Sequence, residues 1–391
     1  MANILTINSG SSSLKFSVYD MAPSEALILS GEFKRIGLSH SVFSVEGHNQ
    51  ETVVPSHDVA LQTLFGWLAS HNSDVKLEAV GHRLVYGGLE YHQPQLITPT
   101  LENDLKKLIP FAPDHLPEEL KAIEAVKNVH PRLPQVVCFD TAFHWESPKI
   151  AKLYPLPRDY WDEGLRRYGF HGLSYAYILQ ELARNNGAAG DGRVVVAHLG
   201  NGASMAAIRN RSPVDTTMGM TPAGGLMMGT RSGDLDPGAV FYVLNKGSSL
   251  DAAKQVLNDR AGLLGLSGIS SDMQDLLGKE TVDQHAADAI ELFCYQARKF
   301  LGSLVAVLGG LDTLVFTAGI GQYAPSVRSR ICEGLEFLGI RLDSKLNNSN
   351  ASVISTEDSP VQVRVMKTNE EIMIARNTNA VIRKAGAQIV Q

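Results

Sequence analysis

Ile4–Asp20, ILTINSGSSSLKFSVYD, sets two alternating apolar segments on either side of six small polar residues: Asn8, Ser9, Gly10, Ser11, Ser12 and Ser13. Alternation with a period of two reads as a pair of β-strands. A two-residue turn is enough to join such strands, so six small polar residues point to a second purpose. Backbone N–H groups in a tight glycine or serine turn converge on a phosphate with no bulky side chain in the way. Gly10 permits positive φ, the serine hydroxyls add donors, and Lys15 adds a point charge.

The same design returns at Val194–Asn210, VVVAHLGNGASMAAIRN, where an apolar strand, a small polar turn over His198–Ala203 and an alternating second strand follow one another. Gly200 and Gly202 take the part of Gly10. Two such hairpins roughly half a chain apart predict a duplicated fold, with two similar domains facing one another across a cleft. A third glycine segment, VFTAGIGQYAPSVRSR, places Gly319 and Gly321 ahead of a helix expected to start near Pro325, a position suited to an anion or a nucleotide.

The chain as a whole supports that reading. Its 391 residues are about twice a typical domain. The formal net charge of -6, without a dense Lys/Arg block, argues against nucleic acid or an anionic membrane surface as partner. No apolar run approaches the roughly 18 residues that span a bilayer, and the first residues, MANILTINSG, do not resemble a signal peptide, so a cytoplasmic protein is expected. Cys138, Cys294 and Cys332 are odd in number and far apart, which fits buried, reduced thiols without metal spacing.

Strand-like runs (NILTI, LKFSVY, QVVCFDTAF, RVVVAHLG, SMAAIR, TLVFTAG, VQVRVMKT) alternate with helical patterns, the mark of an α/β protein. HDVALQTLFGWLASH and ADAIELFCYQARKFLGSLVAVLGG carry apolar stripes of helical period, and APSVRSRICEGLEFLG reads as a helix from Pro325 to Gly339. Pro148, Pro155 and Pro157 interrupt the pattern, which predicts domains at 1–147 and 148–391, with the C-terminal helix expected to rejoin the first.

Charged residues in apolar surroundings are costly unless paired or functional. Arg83 in GHRLVYGG, Asp140 in VVCFDTAFH, His171 in RRYGFHGLS, Arg231 in GGLMMGTRSGDLDPG, and Glu370 and Glu371 in MKTNEEIMIAR all stand out on this ground. Singly, each has a plain alternative: Arg83 and Asp140 read equally well as an internal salt bridge, and Glu370 as a helix-start acid. Together they are a set for moving a phosphoryl group with a divalent metal.

At this point the chain resembles the acetate kinases, short-chain carboxylate kinases of the superfamily that also holds actin, hexokinase and heat-shock chaperone ATPases. The likeness runs through NSGSSSLKF, GHRLVYGG, FDTAFH, RRYGFHG, AHLGNGAS, TPAGGLMMGTRSGDLDPG, FTAGIG and TNEEIMIAR in order. It implies two duplicated actin-like (ribonuclease H-like) α/β domains, a homodimer, and reversible phosphoryl transfer from ATP to acetate with Mg2+, or Mn2+ in its place, giving acetyl phosphate and ADP. By the same resemblance, Asn8 and Glu370 match the metal positions, and Lys15 a nucleotide-phosphate contact, with Ser11 and Ser13 beside it in the loop. Arg83 matches the arginine that holds the substrate carboxylate, and Asp140 the catalytic carboxylate. An acid ionised at neutral pH offers Asp140 little proton to remove, so orientation is its expected work. His171 and Arg231 match the pair that stabilises the in-line transition state. Val85, His115, Phe170 and Pro222 match the acyl pocket. His198, Leu199, Gly200, Asn201 and Gly202 match the phosphate loop, and Asp272, Met273, Gln274, Gly319, Ile320, Gly321, Gln322 and Tyr323 the adenosine site.

Four positions depart from the family's pattern. Gln274 stands where an arginine is usual, Gln322 and Tyr323 replace a Glu-Asn pair, and Asp114 replaces an apolar residue beside His115. These keep two neighbouring readings open, pyrophosphate as donor and another short-chain acid such as propionate as acceptor. A non-catalytic, nucleotide-gated protein of the actin type is a third, and it would leave Arg83, His171 and Arg231 without work. Facing domains also predict closure over the substrates, which shields an acyl phosphate from water.

Overall fold

A computed structural model describes residues 3–389 apart from 11, 23, 73, 114, 187–190 and 247–248. Ser11 and Asp114 therefore lie outside the described residues. The chain divides into two compact units, Met1–Phe143 with Asn369–Gln391, and His144–Thr368.

In unit one, β1 (Asn3–Ser9), β2 (Ser13–Asp20), β3 (Ala26–Lys34), β4 (Ser41–Val45), β5 (His48–Thr52), β6 (Leu77–Leu84), β7 (Gln95–Leu96) and β8 (Gln135–Phe139) form one sheet in the order β5-β4-β3-β2-β1-β6-β8-β7. The β1–β2 and β2–β3 pairs are antiparallel, whereas β1–β6 and β6–β8 are parallel. In unit two, β9 (Arg193–Leu199), β10 (Ala203–Arg209), β11 (Ser212–Thr216), β12 (Thr313–Thr317) and β13 (Gln362–Val365) run in the order β11-β10-β9-β12-β13. Here β9–β10 and β10–β11 are antiparallel, and β9–β12 and β12–β13 parallel. The central five strands of unit one, β3-β2-β1-β6-β8, thus repeat in unit two with the same order and directions. The α/β class and its duplication are as the hairpin echo predicts.

One face of the first sheet packs Leu5, Ile7, Phe16, Phe33 and Phe43 against the helices His57–His71 and Leu116–Val129. Phe33 and Phe43 stack with ring centroids 4.4 Å apart. The other face carries the helix Glu370–Ile389, which lies on β1, β6 and β8. Gly81 makes that approach possible, since a Cβ there would sit 2.2 Å from Thr378 Oγ1 and 2.6 Å from Ile374 Cγ2. In unit two the long helix Gln284–Leu308 packs on β9, β10 and β11. Asp283 caps its start by accepting from the N–H of Ala286, and Gly309 ends it in the left-handed region at φ 69°.

The structure corrects three local expectations. The polar stretch Asn8–Ser13 is not all turn: Asn8, Ser9 and Ser13 are strand residues, with Asn8 paired to Lys15 and Ser9 to Leu14. The helix from Pro325 stops at Cys332, before Gly334 at φ 74°, and only a short 3-10 segment, Glu336–Leu338, precedes Gly339. Gly319 and Gly321 stand ahead of the helix at Pro325 as expected, but not in a turn: they lie within a short helix of their own, Ala318–Tyr323, that follows β12 directly.

Candidate active site

Unit one gathers its charged residues at the ends of β1, β6 and β8. Because β1 lies between β2 and β6, Asn8 faces Lys15 on one side, while its neighbour Ile7 is level with His82 on the other. Arg83 follows in β6, and its Nη1 donates to Asn8 Oδ1 at 3.1 Å. Asp140, one residue past β8 and 1% exposed, accepts from Arg83 Nε at 3.0 Å and from Nη2 at 2.5 Å. Glu370 Oε2 stands 3.9 Å from Arg83 Nε. The salt-bridge reading of Arg83 and Asp140 is therefore correct as geometry, and three of the five guanidinium donors are engaged within unit one.

Burial alone would lower the Arg83 pKa, but Asp140, Glu370 and Glu119 more than offset it and hold the guanidinium above its ordinary range. Burial pushes Glu370 up to about 7, with Asp140 and Glu371 adding to the rise and Arg83 and Lys15 opposing it. Three carboxyl groups thus surround one arginine, an arrangement that favours an added cation.

The sequence reading missed two residues here. Glu119 is 1% exposed, and burial pushes its carboxyl up to about 8 against the pull of Arg83. Its two oxygens accept from the N–H of Val85 at 3.2 and 3.1 Å, which fixes the chain where it leaves β6. Its place in the first turn of a helix made it look like an ordinary helix-start acid. His57 is 3% exposed and bridges the first loop to a helix, with Nε2 2.9 Å from the Gly10 carbonyl and Nδ1 3.1 Å from Glu118 Oε2. The loop itself closes through Gly10 N–H donating to Ser13 O at 2.8 Å. Lys15 is exposed on β2, and Val85 is buried. His115 occupies the cap position before Leu116–Val129.

Unit two holds the other set. Leu199 pairs with Ala203 and His198 with Ser204 across the second hairpin, leaving Gly200, Asn201 and Gly202 as the turn. In topology His198 and Ser204 occupy the places of Asn8 and Lys15. The His171 and His198 rings stack with centroids 4.1 Å apart and planes 16° apart. His171 has φ 58°, a left-handed conformation rare for a residue with a side chain and a form of strain that gathers at functional sites. A Cβ added at Gly202 would come within 3.3 Å of His171 Nε2 and 3.7 Å of Arg231 Nη1, so glycine keeps this turn open beside both groups. Arg231 Nη1 donates to the Pro222 carbonyl at 2.9 Å. Phe170 is 2% exposed and Pro222 half-buried.

A cavity of about 580 Å3 adjoins the turn, lined by Gly200, Asn201, Asp272, Met273, Gln274, Gly319, Ile320 and Tyr323, with Ser271, Leu277 and Ala324 completing the wall. Leu199, Gly321 and Gln322 do not line it. Leu199 is core, and the carbonyls of Gly321 and Gln322 accept from Arg328 Nη1 at 2.9 and 2.8 Å. Arg328, fully buried, was also missed, because one arginine in a helix gives no sign of depth. Tyr323 is 70% exposed at the rim, so it leaves the cavity open.

Residues 3–376 match the profile of the Acetokinase family. The chain belongs to the acetokinase family. An acetate kinase of Rhodopseudomonas palustris is 45% identical over 387 residues, covering 96% of this chain and 97% of that protein. The crystal structure of Porphyromonas gingivalis acetate kinase superimposes with a TM-score of 0.89 at 36% identity, covering 98% of this chain and 100% of that one. A propionate kinase from Francisella tularensis gives a TM-score of 0.91 at 34% identity, covering 97% and 100%. Among the described residues of this acetokinase, no helix is long and apolar enough to cross a membrane, and no group of three or more His, Cys, Asp or Glu side chains is arranged to hold a metal by itself.

Proposed function

We propose that the enzyme is an acetate kinase that transfers the terminal phosphoryl group of ATP to acetate, reversibly and in line, giving acetyl phosphate and ADP. Membership of the acetokinase family carries this reading. Arg83 holds the acetate carboxylate with the donors that Asp140 and Asn8 leave over, and Asp140 orients Arg83. Val85 and His115 in unit one, and Phe170 and Pro222 in unit two, take the family's acyl-pocket positions. In unit two the turn His198–Gly202 and the cavity lined by Asp272, Met273, Gln274, Gly319, Ile320 and Tyr323 hold the nucleotide, with Gly321 and Gln322 fastened to Arg328, and in unit one Lys15 and Ser13 take the family's phosphate-contact positions. His171 and Arg231 meet the equatorial oxygens, where charge spreads as the phosphoryl group moves.

A divalent cation fits the first cluster. Asn8 Oδ1 and Glu370 Oε2 are both oxygens set beside Arg83, and burial holds Glu370 at about 7 in the company of Asp140, so a hard cation would relieve the excess of carboxylate. Mg2+ there, held by these two residues and water, would neutralise charge on the phosphates. Acid choice is the finer question, since a propionate kinase shares the fold at 34% identity.

We further infer a homodimer in the cytoplasm. The helix Pro237–Asn245, PGAVFYVLN, has no buried residue, with Phe241 61% and Tyr242 63% exposed, and a second copy would cover it. Light scattering with Phe241→Glu tests this, since a wild-type mass of one chain would refute it.

The deciding assay traps acyl phosphate as its hydroxamate from acetate or propionate, with ATP or pyrophosphate as donor. Product from acetate and ATP, dependent on Mg2+, is expected. Product with pyrophosphate alone would move the donor, and none with either donor would overturn the function.

A further inference from the structure

The stacked histidines of unit two are each tied to a chain of hydroxyl groups that the assigned chemistry does not use. His198 Nδ1 lies 2.8 Å from Ser174 Oγ, and Thr368 Oγ1 donates to that same oxygen at 2.9 Å. His171 Nδ1 lies 2.8 Å from Ser204 Oγ, which is hydrogen-bonded in turn to the Tyr175 hydroxyl. Ser174, Ser204 and Tyr175 are fully buried. Two separate relays, imidazole to serine to a further hydroxyl, therefore run from the two rings, one to the buried Tyr175 and one to the half-buried Thr368.

The order of donors is assigned from the one direction the geometry fixes, Thr368 to Ser174, and from relative acidity. Thr368 spends its proton on Ser174, so the proton of Ser174 is available for His198 Nδ1. Either hydroxyl of the Tyr175–Ser204 pair can donate; the phenol is the stronger acid, which assigns it as the donor and leaves the Ser204 proton for His171 Nδ1. A ring nitrogen that accepts carries no proton, so each imidazole keeps its single N–H at Nε2. His171 Nε2 is the atom that edges the glycine turn, 3.3 Å from a Cβ placed on Gly202. Two neutral rings also stack 4.1 Å apart without the repulsion that two imidazolium ions would suffer there.

We propose that Ser174, Thr368, Ser204 and Tyr175 are positioning residues that hold His198 and His171 as neutral rings protonated at Nε2, so that both present a fixed N–H donor to anionic phosphoryl oxygens. The kinetic half of this rests on the phosphoryl-transfer reading above, whereas the tautomer does not. Neutral donors suit a reversible reaction, because they stabilise developing charge without an ion that would hold the product tightly.

The test pairs spectroscopy with kinetics on the full-length enzyme. Imidazole 15N shifts of histidine-labelled protein, assigned with His171→Gln and His198→Gln, report the tautomer at pH 7.5. Wild type is expected to show Nε2–H at both rings. Tyr175→Phe should release His171 and Thr368→Val should release His198, each toward a mixture of tautomers. Each variant should lower kcat by about 10- to 100-fold, as loss of a partner that orients an imidazole commonly does, with KM for ATP and acetate within about twofold. Thr368→Ser, which keeps the hydroxyl, should restore both spectrum and kcat. A wild-type spectrum with Nδ1–H or doubly protonated rings overturns the proposal, and so does a raised KM at unchanged kcat in both variants. Tyr175 is buried and Thr368 half-buried, so if the phenylalanine variant does not fold, the valine variant decides for its own relay. An enzyme inactive toward acetate and ATP would refute the function while leaving the spectrum to judge the tautomers.

Discussion

Replacing Arg328 with Met should cost more than any ordinary surface arginine and should weaken nucleotide binding. The side chain is fully buried and makes its hydrogen bonds to neutral acceptors alone: Asn347 Oδ1 and O, Asn350 Oδ1, and the carbonyls of Gly321 and Gln322. Burial accordingly pulls the guanidinium down to about 10. Methionine fills much of the volume but leaves Asn347 Oδ1 and the Gly321 carbonyl without that donor, while the Asn347 carbonyl keeps the Asn350 N–H at 3.1 Å. Asn347 is 1% exposed and Gly321 is buried, so water cannot readily replace the lost partners. Two orphaned dry acceptors at about 1–3 kcal/mol each predict a loss near 4 kcal/mol. For a unit of this size that corresponds to a fall in Tm of about 8–16 °C. The Gly319–Gly321 segment would lose its tether, so KM for ATP should rise while KM for acetate stays within about twofold. Scanning calorimetry and initial rates measure both. A Tm within about 2 °C of wild type, or equal rises in the two KM values, would refute the argument.

Arg231→Ala should leave Tm nearly unchanged and reduce kcat by about 10²- to 10⁴-fold, measured by the hydroxamate assay. Unaltered turnover would remove Arg231 from the transfer. Burial pushes His82 down from 6.5 to about 4 despite its bond to Gln135, so its stabilising share is complete above pH 6.5 and is lost as pH falls toward 4, about 3 kcal/mol in all. Glu119, pushed up to about 8, makes stability fall as pH rises from 4.5, so the His82 effect is read as the difference between wild type and His82→Gln in urea melts at pH 7.5 and 5. Parallel stability curves for the two proteins would count against it. Gly81→Ala should destabilise unit one by at least about 2 kcal/mol, because its Cβ would overlap Thr378 Oγ1 and Ile374 Cγ2. A neutral result in the same melts would show that the C-terminal helix can shift.

The two hairpins were legible because alternation and small polar turns are local signals, and they led to the duplicated topology. Strands that carry little apolar pattern were not. β5, HNQET, is almost wholly exposed and exists because it pairs with β4 across Glu46 and Gly47, both at positive φ. The Glu-Gly pair was the available clue. In the first cluster Arg83, Asp140 and Glu370 announced themselves as charges among apolar neighbours. Glu119, His57 and Arg328 did not, because their surroundings come from distant segments, Val85, Gly10 and Asn347. The hydroxyl relays were hidden for the same reason, since serine and threonine look alike in sequence whether they cap a helix or steer an imidazole.

The register of the hairpins carries a consequence for how this chain can change length. Side chains on a strand alternate faces, so one residue gained within β1 or β9 would turn Asn8 or His198 to the opposite side of its sheet. A residue gained in the turn alters neither. The two copies already differ in this way: four residues separate Ser9 from its partner Leu14, and three separate Leu199 from Ala203, yet Asn8 still faces Lys15 and His198 still faces Ser204. Each turn is therefore elastic in length and the flanking strands are not, which lets the two halves drift apart in sequence while the two positions that matter keep their aim.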